Sequence, residues 1–158
     1  MFSVGQNVVY GIHGVCKILG LEVRKVDSKN VEYFVLEPIR HPGSYYYIPT
    51  QNPNALAKLR ELIAVDQFKA LSKEAKYCWI DDENKRKQSY REMLSNMDCG
   101  QLISAIRVVN QRRSELLENG KKFHMCDENF LRDAERLVFE ELSFVLDMDP
   151  VRIYDLLI

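Results

Sequence analysis

The chain has 158 residues, 46% of them hydrophobic and 28% charged, with a formal net charge of −1. That is enough for one large domain or two small ones with a packed core, and it excludes wholesale disorder. No apolar run reaches the roughly 20 residues of a membrane span, the start MFSVGQNVVYG lacks the basic and apolar regions of a signal peptide, and the four cysteines (Cys16, Cys78, Cys99, Cys126) contain no CxxC pair, which argues against a zinc ribbon or a disulfide framework and for a reducing cytoplasm.

Residues 1–64 read as β. Strand formers occupy Asn7–Tyr10 and Gly14–Ile18, broken by Gly11-Ile12-His13-Gly14. The run Leu19–Val26 follows, and Asp27-Ser28-Lys29-Asn30 supplies turn chemistry. VEYFVL, Val31–Leu36, is dense in β-branched and aromatic residues. Arg40-His41-Pro42-Gly43-Ser44 is the next turn signal, then Tyr45-Tyr46-Tyr47-Ile48-Pro49, then the breaker Gln51-Asn52-Pro53-Asn54. Short strands at this spacing predict a small antiparallel barrel, because closure removes exposed edges.

From about Asp66 the hydrophobic period becomes helical, so residues 65–158 are expected to form an all-helical domain and the chain an α+β protein. Asp81 to Met97 reads as a polar helix with Tyr90, Met93, Leu94 and Met97 on its apolar side. Asp98, with Gln101 three residues on, is a cap signal. Leu102, Ile106, Val109, Leu116 and Leu117 then recur on one face, and Asn119-Gly120 supplies a stop. Asp127 is expected to open the next helix, whose stripe is Phe130, Ala134, Leu137, Val138, Leu142 and Val145. Asp149-Pro150 opens a short last helix, with Pro150 in the first turn where its missing N–H costs nothing.

Charge is segregated. Residues 85–122 hold nine Lys/Arg against four Asp/Glu, whereas residues 123–158 hold three against nine. A basic segment attracts phosphates, though a solvated helix face has the same composition. The basic set comprises Lys85, Arg86, Lys87, Arg91, Arg107, Arg112, Arg113, Lys121 and Lys122. Trp79, the sole tryptophan, stands just before it. It is either a core anchor or an aromatic that stacks on a base or wedges into a groove.

The motifs of catalysis are missing. His13 and Cys16 lack a third residue to orient a base, and His124 with Cys126 gives only two metal ligands. No P-loop or dinucleotide fingerprint occurs. Glu128, Asp133, Glu135, Glu140 and Glu141 read as the solvated face of the long helix. The expectation is a protein that is not an enzyme, without cofactor, metal or small-molecule substrate.

Phe2, Val4, Gly5, Val8, Val9, Tyr10, His13, Gly14 and Val15 spell F-x-V-G-x-x-V-V-Y-x-x-H-G-V. This pattern resembles the CarD/CdnL family of bacterial transcription regulators. The likeness continues through Ile18, Glu22, Tyr33–Leu36, Ile48-Pro49 and Leu59–Ile63, and in the helical half through Tyr90–Leu94, Gly120-Lys121-Lys122 and Phe130–Leu142. It implies a Tudor-like N-terminal barrel, shared with the transcription-repair coupling factor, that binds the RNA polymerase β subunit. It implies a helical domain that contacts promoter DNA, weakly and largely without sequence specificity, near the upstream edge of the bubble and stabilises the open complex. The barrel would offer an exposed edge to a polymerase strand.

By the same resemblance the polymerase-binding residues are Arg24, Tyr47, Ile48 and Pro49. Arg24 matches an arginine that touches polymerase in relatives, and Tyr47 stands where they carry a second basic contact. Trp79 is the candidate minor-groove wedge. It precedes Tyr90 by 11 positions, about two helical turns more than in relatives. Relatives carry basic residues where Asp127 and Glu128 stand here, so DNA contact is expected to shift toward Lys85, Arg86, Lys87 and Arg91 and toward Lys121 and Lys122, with Arg112 and Arg113 beside them.

Overall fold

Period-two alternation builds the first unit, Met1–Leu62. The structure, a computed structural model, describes residues 1–71 and 77–157. Strands β1 (Asn7–Tyr10), β2 (Val15–Val26), β3 (Lys29–Pro38), β4 (Tyr46–Pro49) and β5 (Leu59–Glu61) form one antiparallel sheet in the order β4-β3-β2-β1-β5. Val8, Cys16, Ile18, Leu36, Ile48 and Leu59 are all buried. All five strands thus contribute to a single core, and the sheet curls around it. A 3-10 turn at Gly11–His13 joins β1 to β2 and ends on Gly14 with φ +79°, a conformation a Cβ would disfavour. One helical turn, α1 (Pro53–Leu56), follows β4, with the Asn52 side chain accepting the N–H groups of Asn54 and Ala55.

The run expected to end at Ile18 and the run beginning at Leu19 are one strand. The register slips between Ile18 and Gly20, so Leu19 is the extra residue of a bulge. Beyond it β2 and β3 run on together, flanked by β4 as far as Tyr33, and past Glu32 they continue as a two-stranded ribbon. Asp27 and Ser28 close it with φ +48° and +65°, a two-residue hairpin of the primed type whose twist matches the strands.

The second unit, Ile63–Ile158, contains α2 (Val65–Leu71), α3 (Glu83–Asn96), α4 (Cys99–Glu118), α5 (Met125–Leu146) and α6 (Pro150–Leu157). Leu102, Ile103, Ile106 and Val109 from α4 meet Phe130, Ala134, Val138 and Leu142 from α5, with Tyr90 and Met93 from α3 and Ile153 and Leu157 from α6. Asp98 caps α4 by accepting the Gln101 N–H at 3.0 Å. Asn119-Gly120 stops it: the Lys121 N–H donates to Leu116 O and the Gly120 N–H to Leu117 O, with Gly120 left-handed. Asp149 accepts the Val151 N–H at the start of α6.

Three expectations need correction. Leu117 is 57% exposed, because a stripe of period 3.6 drifts off the core after Val109. Helix α5 starts at Met125 with His124 as its cap, so Asp127 lies inside the first turn and faces inward. Glu141 is not solvated. It is 2% exposed and accepts the Ile63 N–H at 2.8 Å, which ties the entry of the unit to α5.

Candidate functional site

In the ribbon, β1 covers β2 only as far as Ile18, which exchanges hydrogen bonds with Gly5 and Gln6. No described strand pairs with the other side of Leu19–Val26. The flanking pair of a two-residue hairpin is hydrogen-bonded, so Val26 turns its N–H and C=O toward β3, and so do Arg24 and Glu22 by alternation. Leu21, Val23 and Lys25 therefore direct theirs to the uncovered edge. Glu32, the partner of Val23, correspondingly gives its carbonyl to Thr50 N–H on the far side. Leu19, Leu21, Val23 and Val26 are 44–59% exposed. The ribbon is an unpaired, half-apolar β edge.

Two of the residues matched to polymerase contacts, Arg24 of β2 and Tyr47 of β4, meet across one face of the sheet. The Arg24 guanidinium lies 3.8 Å from the centre of the Tyr47 ring, and its Nε donates to Glu22 at 2.7 Å. The hydrogen bond to Glu22 raises the Arg24 pKa above its ordinary value. The cation is exposed but held, stacked on one side and bonded on the other, which lowers the entropy lost when it meets a partner. Pro49 and Val23 line an open groove of about 590 Å³ with Val31, Glu32 and Asn52. Ile48 does not belong to the surface: β4 alternation turns it inward, and it is 3% exposed.

In the helical unit the expected DNA site divides. Arg86 is not a surface cation, which corrects its place in the basic set. It is 3% exposed, and its Nε and Nη2 donate to the two carboxylate oxygens of Asp127 at 2.7 and 3.1 Å. Nη1 donates to the carbonyls of Ile80 and Asp81, and the Tyr90 hydroxyl donates to Asp127 at 2.7 Å. Burial alone would lower the Arg86 pKa, but the bonds and charge of Asp127 raise it; burial and then Asp127 push the Tyr90 hydroxyl well above the usual tyrosine value. Tyr90 also stacks on Phe130 at 3.9 Å.

Trp79 sits at the rim of this network. Its ring is 4.4 Å from the Arg86 guanidinium and 5.6 Å from that of Arg112, and it packs half-buried against the core. Both readings of Trp79 keep a footing: one part of the ring anchors, the rest is accessible. Among the other cations, Lys87 pairs with Glu83, Arg112 with Glu115 at 3.1 Å, and Arg113 with Glu128 at 3.8 Å. Lys85, Arg91, Lys121 and Lys122 are exposed and form no salt bridge among the described residues. Sequence reasoning missed Asp127 as the partner of Arg86, since 41 positions separate them and no local pattern joins them. It also missed the apolar edge of Leu21 and Val23, which is open because the pairing of β1 with β2 ends at Ile18.

A small curled sheet with one long uncovered strand, joined to a helical unit with a scattered basic face, defines a β-rich interaction module with an appended helical domain. Residues 2–63 match the family model of the CarD-like/TRCF RID domain, so the N-terminal unit belongs to that family. That domain is an RNA polymerase-interacting one, which supports a transcription-related role. No curated protein matches it. No described helix is long and apolar enough to cross a membrane.

Proposed function

We propose that this chain is a non-enzymatic transcription regulator. Its β ribbon engages the RNA polymerase β subunit by strand addition, and its helical unit touches promoter DNA at the upstream edge of the bubble. The observation that supports this reading is the uncovered edge of β2, carrying Leu21, Val23 and the Glu22–Arg24–Tyr47 cluster, on a domain of the polymerase-interacting family. Main-chain bonds along such an edge supply affinity and the held arginine supplies specificity. Tethering to polymerase raises the local concentration of DNA, so the helical unit needs only weak phosphate contacts. Those contacts fall to Lys85, Arg91, Lys121 and Lys122, with Trp79 stacking at the duplex–bubble junction.

A second reading is favoured by the internal pairing of Arg86, Lys87, Arg112 and Arg113: the helical unit recruits a protein and leaves DNA alone. The two readings part on the lifetime of promoter open complexes formed by polymerase with this chain. Replacing Lys85, Arg91, Lys121 and Lys122 by alanine should shorten that lifetime and flatten its salt dependence, by about 0.9 of a log-log slope unit per lost phosphate contact. An unchanged lifetime with polymerase still bound would establish the adaptor reading instead.

A further inference from the structure

The uncovered edge of β2 is complementary to itself. When two copies of Gly20–Val26 are laid antiparallel with Val23 opposite Val23, Glu22 of each strand falls opposite Arg24 of the other. Leu21 then faces Lys25, and Gly20 faces Val26. The hydrogen-bond phase agrees: Val23 is one of the residues that direct N–H and C=O to the open side, so the central pair exchanges two main-chain bonds, and the Leu21–Lys25 pairs exchange theirs. Moving the centre by one residue sets Glu22 against Glu22 or Arg24 against Arg24. One register is therefore selected by charge. The contact is isologous, as a two-fold dimer requires.

We propose that a second copy of this chain is an occupant of the β2 edge, forming an antiparallel ribbon-to-ribbon dimer centred on Val23. Exposure supports it: Val23 is 59% and Leu21 51% exposed, and pairing shields both from water. Glu22 and Arg24 already bond within one strand at 2.7 Å on a common face, so dimerisation exchanges two such pairs, one from each copy, for two pairs across the two-fold axis. Seven residues a side bury too little for a permanent dimer, so the association is weak and reversible. A consequence rests on the function proposed above: the strand that pairs with a second copy is the strand offered to polymerase, so the dimer is a stored form that cannot bind polymerase until it dissociates.

Sedimentation velocity of the full chain, over on the order of 10 µM to 1 mM, tests the proposal. Wild type should pass from monomer to dimer. Glu22→Arg alone, or Arg24→Glu alone, places like charges opposite each other twice and should weaken the dimer by about tenfold or more. Mixing those two variants restores both attractive pairs and should return a heterodimer, and the double exchange E22R/R24E should return the homodimer. A wild type that stays monomeric throughout, a dimer indifferent to the single exchanges, or a mixture that fails to associate would each overturn the proposal. The polymerase reading fails separately: a chain that dimerises but never binds polymerase leaves this inference standing, and one that binds polymerase as an obligate monomer leaves only the other.

Discussion

The chain contains two arginines built in the same way with opposite outcomes. Arg24 has a carboxylate partner in Glu22 and an aromatic neighbour in Tyr47; Arg86 has Asp127 and Trp79. The side chains of the first ion pair are 46% and 44% exposed, and those of the second 4% and 1%. Burial decides what the chemistry does. At the surface an ion pair is worth little to stability and its charge remains offered to a partner. In the interior the same pair is fully committed, because all its bonds are made and neither member tolerates loss of the other.

The largest expected break in that contrast lies at the buried pair. Arg86→Ala and Asp127→Ala should each cost about 3–5 kcal/mol, since each strands an unpaired charge. Replacing both residues at once by Met and Leu should cost less than either single change. Chemical denaturation followed by fluorescence of the sole tryptophan, which touches Arg86, reports both. Arg24→Glu should leave stability unchanged and weaken polymerase binding by about tenfold or more, as loss of a steering and specificity charge does. A fall in melting temperature in that variant would make Arg24 a structural residue like Arg86.

Smaller effects sharpen the boundary between scaffold and surface. Asp98→Ala removes the cap of α4 and should cost about 1 kcal/mol. Asp82 caps α3 through the Lys85 N–H, and that bond is the chief reason its pKa is lowered. A carboxyl whose folded pKa is depressed contributes stability that is complete above its unfolded value, about 3.9, and is lost as pH falls through the folded value. Asp82→Asn keeps a capping oxygen but cannot titrate. At and below about pH 4 wild type should therefore lose stability faster than this variant; parallel acid curves would remove Asp82 from the pH response.

What the sequence reveals follows the range of the interactions. The caps at Asp98 and Asp149, the stop at Gly120 and the stripe of α5 are local, and each is visible within a few residues. The strands of the first unit are legible for the same reason, since alternation and turn residues are short-range signals. Arg86 is not legible: within Lys85-Arg86-Lys87 it looks like one more solvated cation, and only packing of α3 on α5 brings Asp127 to it. Ile48 and Pro49 are adjacent, yet alternation buries one and leaves the other accessible. The open edge begins where the short β1 ends, a length that no single residue type announces, and the bulge beside it is marked only by Leu-Gly at positions 19 and 20.

The role of the β2 edge is tested most directly by equilibrium binding of the full chain to RNA polymerase, comparing wild type with Val23→Pro and Arg24→Glu. Val23→Pro removes an N–H from the uncovered side of β2 and leaves the bonds to β3 in place. Binding by wild type, lost with the proline and weakened by the charge reversal while both variants keep the wild-type melting temperature, is the predicted result. Binding that survives both substitutions would place the polymerase contact elsewhere on the molecule and rule out strand addition at β2.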